Sequence, residues 1–185
     1  MTTTLVRWTV EDYHTMIAAG LFLNRQVELL NGQVVEMSPE GPLHADLNRD
    51  LGDWFRDQLG QRARVSEGKP ITLNDGSEPQ PDVAIVRRRA YRDFHPFPED
   101  VFLVIELANT SFTKDTHEKY LAYAAAGIEE YWVVNLRDEK TTPSLIIYRN
   151  PSESGYQSEQ RLTSGSIAPL AFPDITLDLH LLFQF

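Results

Sequence analysis

The sequence predicts an α/β fold, α+β under a stricter taxonomy, with helices on the faces of a central mixed β-sheet. Three observations predict it. Val101 to Leu107 and Glu130 to Asn135 are short runs that are apolar on both faces, the pattern of strands covered from two sides. Leu47, Leu51, Trp54, Phe55 and Leu59 recur at helical spacing, so residues 43 to 59 read as an amphipathic helix. Strand-like and helix-like segments are interleaved along the chain, as a layered mixed sheet requires.

Taken in order, Thr9 with Asp12 three residues later forms a capping pattern that opens a helix through about Ala19, and Gly20 ends it. Gln26 to Leu30 and Gln33 to Met37 flank Asn31-Gly32, the pair that favours a two-residue β-hairpin turn. After the 43 to 59 helix, strands are expected at Val65 to Leu73, Asp82 to Val86 and Val101 to Leu107. A helix over 115 to 126, with Asp115 and Glu118 placed as a capping box, stops at Gly127. Strands follow at Glu130 to Asn135 and Leu145 to Arg149, and the tail from Ile167 is expected to add edge structure. Asn74 to Pro81 and Arg149 to Gly155 read as loops from their Gly, Pro, Asn and Ser content. No repeat and no Ser/Gly linker divides the 185 residues, so one domain over 1 to 185 is expected.

Composition narrows the function. Hydrophobic residues make up 42% and charged residues 24%, which excludes collagenous, coiled-coil and disordered classes. Cys is absent, so a metal would have to sit on oxygen or imidazole, and a cysteine nucleophile is excluded. The apolar runs are far shorter than the roughly 20 residues of a membrane helix, and Met1 to Trp8 lacks a signal-peptide pattern. No membrane association and a cytoplasmic location are therefore expected. Lys and Arg number 17 against 27 Asp and Glu, a net charge of −10 that gives no steering toward nucleic acid. It leaves room for a local basic strip, since screening confines charge effects to about 10 Å. Arg87, Arg88, Arg89 and Arg92 form such a strip, or else a solvated loop that blunts a strand end.

Three residues stand out from the core pattern: Asp82 after Pro81 at the head of an apolar strand, Glu106 near the end of another, and Lys119 on the helix that follows. Two carboxylates near adjacent strand ends are tolerated mainly when a cation lies between them. Two carboxylates with water and a phosphate form the oxygen donor set suited to Mg²⁺, with Mn²⁺ as a substitute, and a neighbouring lysine can orient a water. The alternative is structural: Asp82 caps a turn while Glu106 and Lys119 form a salt bridge.

Pro81-Asp82, Val104-Ile-Glu106-Leu, and Asp115-x-x-x-Lys119-x-x-x-Tyr123-x-x-x-Gly127-Ile-x-Glu130-Tyr-Trp-Val-Val together resemble the Uma-two family of restriction-endonuclease-like proteins, a branch of the PD-(D/E)XK nuclease superfamily. The resemblance runs from about Thr9 to Tyr148 and includes the hairpin with Glu28 and His44 at the head of the next helix. It implies a restriction-endonuclease-like fold with an N-terminal hairpin and a metal-dependent phosphodiesterase site. Asp82 and Glu106, with the backbone carbonyl of Leu107, would hold the metal. Lys119 would position the attacking water. In the superfamily the lysine usually stands two residues beyond the second acid, a position held here by Ala108. The family places it on the adjacent helix. The chain also carries Ala108-Asn109-Thr110-Ser111 where many relatives have a Ser-Pro turn.

Other residues keep two readings. Glu28 matches an acid that binds a second metal or holds the lysine, or is an exposed strand residue. His44 touches a phosphate or acts as a base, or is a cap. Asp115 reads as the cap of the Lys119 helix, and His117 points away from the lysine. Tyr123, one turn after Lys119, supports it or packs. Tyr131 and Trp132 read as core rather than a base-stacking platform. The expected activity is hydrolysis of nucleic-acid phosphodiesters, DNA before RNA, by a homodimer. The alternatives are an inactive nuclease-fold interaction module and a phosphodiesterase acting on small nucleotides. A cleft rimmed by Arg87 to Arg92 favours the nuclease, and an acidic rim favours a protein or small-molecule partner.

Overall fold

The computed structural model describes residues 4–74, 76–108, 115–136 and 143–183. Its elements are α1 (Val10–Ala18), β1 (Val27–Leu30), β2 (Gln33–Glu36), α2 (Pro42–Leu59), β3 (Ala63–Glu67), β4 (Val83–Arg87), β5 (Val101–Ala108), α3 (Asp115–Ala125), β6 (Glu130–Asn135), β7 (Ser144–Ser152), β8 (Gly155–Leu162), β9 (Ser166–Ile167), β10 (Leu177–Asp178) and α4 (His180–Phe183). Six strands form one sheet in the order β3-β4-β5-β6-β7-β8. Only the β5/β6 pair among them is parallel, and α3 makes that crossover.

Alternation along the strands explains the two cores. Val83, Ile85, Leu103, Ile105, Leu107, Trp132 and Val134 face α2 and the C-terminal tail. Ala84, Val86, Val104, Tyr131 and Val133 face the other way, toward α3. A strand buried on both faces has no polar side to show, which is why β5 and β6 read as continuous apolar runs. Glu106 shares parity with Val104 and Ala108, so its side chain projects to the α3 face.

The Thr9 pattern is a true capping box: Asp12 N–H donates to Thr9 Oγ1 at 3.1 Å and Thr9 N–H donates to Asp12 Oδ2 at 3.0 Å. Asn31 and Gly32 both take positive φ, 50° and 70°, and close the β1/β2 hairpin as a tight turn whose twist suits its strands. This hairpin forms its own two-stranded sheet. The capping role expected of the Asp115 side chain, and the turn at 109 to 111, lie outside what the structure describes.

Three sequence expectations are corrected. The strand expected over Val65 to Leu73 ends at Glu67, because Gly68 turns the chain at φ 54° and donates its N–H to the carbonyls of Pro81 and Asp82. Ile71 and Leu73 are buried without belonging to a strand. Arg149 to Gly155 is no loop: β7 runs through Asn150 and Pro151 to Ser152, and β8 returns from Gly155. The tail adds no strand to the main sheet. Its β9/β10 pair and α4 lie over the α2 face, where Phe172, Ile175, Leu177, Leu179 and Leu182 join the core.

Candidate active site

Glu28, His44, Asp82, Glu106 and Lys119 line one cleft of roughly 330 Å³, formed by β1, β2, the start of α2, the head of β4, the end of β5 and α3. Asp82 sits one residue before β4, its backbone held by Gly68. Its Oδ2 accepts the Leu107 N–H at 2.6 Å and lies 3.1 Å from His44 Nε2. Leu107 can make that contact because β4 pairs with β5 only as far as Val83 opposite Ile105, which leaves the Leu107 amide, two residues on and facing the same edge, without a β4 partner.

Glu106 is buried between the sheet and α3. Its Oε1 accepts Lys119 Nζ at 3.1 Å and Tyr123 Oη at 2.8 Å, and no hydrogen bond to its Oε2 is made among the described residues. Lys119 and Tyr123 are one helical turn apart, so both reach the same carboxylate. On its other side, Lys119 Nζ lies 3.2 Å from Glu28 Oε2, which also accepts the Gln80 N–H at 2.9 Å. Glu28 is 5% exposed, so its reading as an exposed strand residue is wrong: β1 is buried along its whole length beneath α1 and α3. Two carboxylates thus flank one ammonium, and Asp82 adds its charge from farther off.

Electrostatics follow from this crowding. Burial pushes the Glu106 carboxyl up to about 7; Lys119 opposes the shift, and Asp82 and Glu28 add to it. Burial alone would lower the Lys119 ammonium, yet Glu106, Glu28 and Asp82 raise it, so it stays charged. His44 is raised chiefly by its hydrogen bond to Asp82, against a smaller loss from burial, with Asp82, Glu40 and Glu106 contributing charge. His44 occupies the first turn of α2, where Pro42 begins the helix.

The donor set fits a hard divalent cation. Asp82 Oδ1 and Glu106 Oε2 carry no hydrogen bond among the described residues, in a cleft whose carboxylates outnumber its ammonium. Glu40, His44 and Asp82 also bring three possible ligand atoms within 4.8 Å of one another. Sequence reasoning missed Glu40, which lies before Pro42 opens α2, so that no periodic pattern ties it to His44; the His44 Nδ1 to Glu40 Oε2 distance is 3.7 Å. It also missed Gln80, which contributes a backbone amide that no side-chain pattern encodes.

The remaining candidates fall outside the cleft. His117 is exposed and stacks on Tyr120. Tyr131 and Trp132 are fully buried core residues, and Trp132 Nε1 donates to Glu130 at 2.9 Å. The arginine strip does not rim the cleft: Arg87 ends β4, at the opposite end from Asp82, and Arg89 pairs with buried Asp100 at 2.6 Å. The rim instead carries Glu36, Glu40 and Glu118.

A six-stranded mixed sheet with helices on both faces, and acids gathered around a helix-borne lysine at one sheet end, places the chain in the restriction-endonuclease-like class of α/β folds. A solved structure described as a putative nuclease belonging to DUF820, from Anabaena variabilis ATCC 29413, shares this fold with a TM-score of 0.75 at 14% identity, over 95% of this chain and 97% of that one. The chain belongs to the Uma2 family, described as putative restriction endonuclease, which matches residues 10–180. No curated protein matches it.

Proposed function

We propose that the chain is a metal-dependent endonuclease acting on nucleic-acid phosphodiesters, DNA before RNA. The observation that carries this reading is the pair of carboxylate oxygens on Asp82 and Glu106 that take no hydrogen bond among the described residues, beside a lysine that stays charged. Asp82, Glu106 and the carbonyl of Leu107 would hold Mg²⁺, with Mn²⁺ as a substitute. The Leu107 carbonyl is a reasonable third donor because the N–H and C=O of one strand residue point to the same side, and its N–H meets Asp82. Bound there, the ion supplies Lewis acidity at phosphorus and a more acidic water.

The chain's own residues do the rest. Lys119 spends two N–H donors on Glu28 and Glu106, and the third orients the attacking water. Glu28, fixed by Gln80, keeps the ammonium over the cleft. Tyr123 fixes Glu106 from the other side. His44, inclined to hold a proton, faces a phosphate oxygen. The reading includes a single domain over residues 1 to 185, a homodimer addressing two strands, and a cytoplasmic location; no described helix is long and apolar enough to cross a membrane.

The acidic rim favours one second reading, an inactive nuclease-fold module that binds a protein or small molecule. Calorimetric titration of Mg²⁺ and Mn²⁺ into the wild type, Asp82→Ala and Glu106→Ala, with cleavage of single-stranded and duplex DNA in parallel, separates the two. The nuclease reading expects both substitutions to abolish metal binding and cleavage, and Lys119→Ala to keep the metal while losing on the order of 10²-fold or more in rate. A wild type that binds no divalent ion, with or without DNA, leaves the module reading standing.

A further inference from the structure

Away from the cleft, three segments converge on a second set of ligating side chains. Glu78 is a carboxylate 2% exposed, and its Oε2 accepts a hydrogen bond from Thr72 Oγ1 at 2.8 Å. Its Oε1 lies 2.7 Å from His14 Nε2. His95 stands beside His14 with ring centroids 6.2 Å apart in an edge-on arrangement. One ligand atom from each of His14, Glu78 and His95 falls within 4.8 Å of the other two.

The three side chains are held by backbone rather than by chance of the surface. Glu78 exchanges hydrogen bonds with Leu29 of β1, 2.7 Å from its N–H and 3.4 Å to its carbonyl. The loop of His95 is tied to the same segment by the Thr72 N–H, which donates to Pro96 at 2.9 Å. Helix α1 is anchored next to His14 by Tyr13, whose hydroxyl donates to Val27 O at 2.7 Å. A buried carboxylate with one oxygen fixed by a hydroxyl and the other aimed at imidazole is the oriented ligand that metal sites use.

We infer that His14, Glu78 and His95 form a second metal site, selective for a zinc-like transition ion over Mg²⁺. Two imidazoles and one carboxylate suit Zn²⁺ and its neighbours, whereas Mg²⁺ prefers all-oxygen donors and retained water. Tetrahedral ligands about 2.0–2.1 Å from an ion stand roughly 3.3 Å apart, so His14 and Glu78 need open only slightly while His95 closes in. His14 is 49% exposed, which leaves a fourth position to water and gives the ion an entry path. The consequence is local stiffening. The ion would join α1 and the 91–97 loop to Glu78, whose backbone partner Leu29 is the neighbour of Glu28.

The test is calorimetric titration of Zn²⁺, with Mg²⁺ present, into an Asp82→Asn/His44→Ala double variant that lacks the cleft's own imidazole cluster. One equivalent should bind, and His14→Gln or His95→Gln added to that background should weaken it at least about tenfold. In the wild type, the ring nitrogens of His14 and His95 should move together in ¹⁵N spectra at one equivalent of Zn²⁺ and stay put with Mg²⁺ alone. Absence of Zn²⁺ binding in the double variant, binding indifferent to either histidine, or a shift of one ring without the other overturns the site. This result is independent of cleavage, so it stands or falls apart from the nuclease reading.

Discussion

Glu106 shows how much a single buried carboxyl can govern. Its pKa near 7 in the fold, against 4.5 for an ordinary glutamate, means that the folded state holds a proton there that the unfolded chain has released. Between these two values the native state binds more protons, so stability falls as pH rises; the contribution is fully present below 4.5 and gone above about 7. Lys119 keeps its charge throughout the window and adds no slope. In Glu106→Gln this falling limb should vanish. Urea denaturation in EDTA at intervals from pH 4.5 to 7.5 reads the difference, and parallel wild-type and variant profiles would refute the assignment. The same logic links the residue to its metal: above pH 7 the released proton leaves a buried carboxylate that shares Lys119 with Glu28, and a divalent ion can supply the charge still lacking.

Elements were legible where one covalent pattern decided them. Asn31-Gly32 fixed the hairpin, Thr9 and Asp12 fixed the start of α1, and the apolar run of β5 marked a strand covered on both sides. They were illegible where tertiary contact overrode composition. Asn150, Pro151, Ser152, Glu153 and Ser154 look like a loop, yet β7 and β8 pair across them because α3 docks there. Tyr120 of α3 places its hydroxyl 2.9 Å from the Tyr156 N–H, over a glycine whose missing side chain makes the space. A Cβ on Gly155 would stand 2.7 Å from that hydroxyl, at φ 126°, where only glycine is comfortable. Gly155→Ala should therefore cost about 1–3 kcal/mol by thermal unfolding. Pairing it with Tyr120→Leu, which removes both the oxygen and the ring carbon within 3 Å of that Cβ, should recover part of that loss. Full additivity of the two changes would mean that α3 and the β7/β8 turn are not coupled in this way.

At the scale of the whole molecule, the linear charge count could not say which residues gather. Asp82 and Glu106 stood out because they sit at the ends of apolar strands, and Lys119 because it lies on the helix that follows directly; the family pattern then gave the three a shared role. Glu28 kept two readings because the two-residue alternation of its hairpin also allowed an exposed position, and the burial of β1 decides between them. The arginine strip reads in sequence as a basic rim for the cleft or as a solvated loop at a strand end, and Asp82 just before β4 stands on the order of 17 Å from Arg87 at its far end, at about 3.4 Å per residue. Among the described residues, only His44 and Lys119 bring positive charge to the cleft, against six carboxylates in its lining. Each phosphate neutralised by the protein adds about 0.9 to the slope of log K against log salt. A duplex held by the cleft alone should then show a slope of roughly −2, unusually shallow for a DNA-binding enzyme. Contact with Arg87, Arg88, Arg89 and Arg92 as well would steepen it beyond about −5. Measured on a phosphorothioate duplex in Mg²⁺, a shallow slope unchanged in Arg88→Ala/Arg92→Ala assigns recognition to the metal-bearing end of the sheet. A steep slope that those substitutions flatten means instead that the nucleic acid runs the length of β4, and that the −10 molecule binds it by way of a strip on the far side from its chemistry.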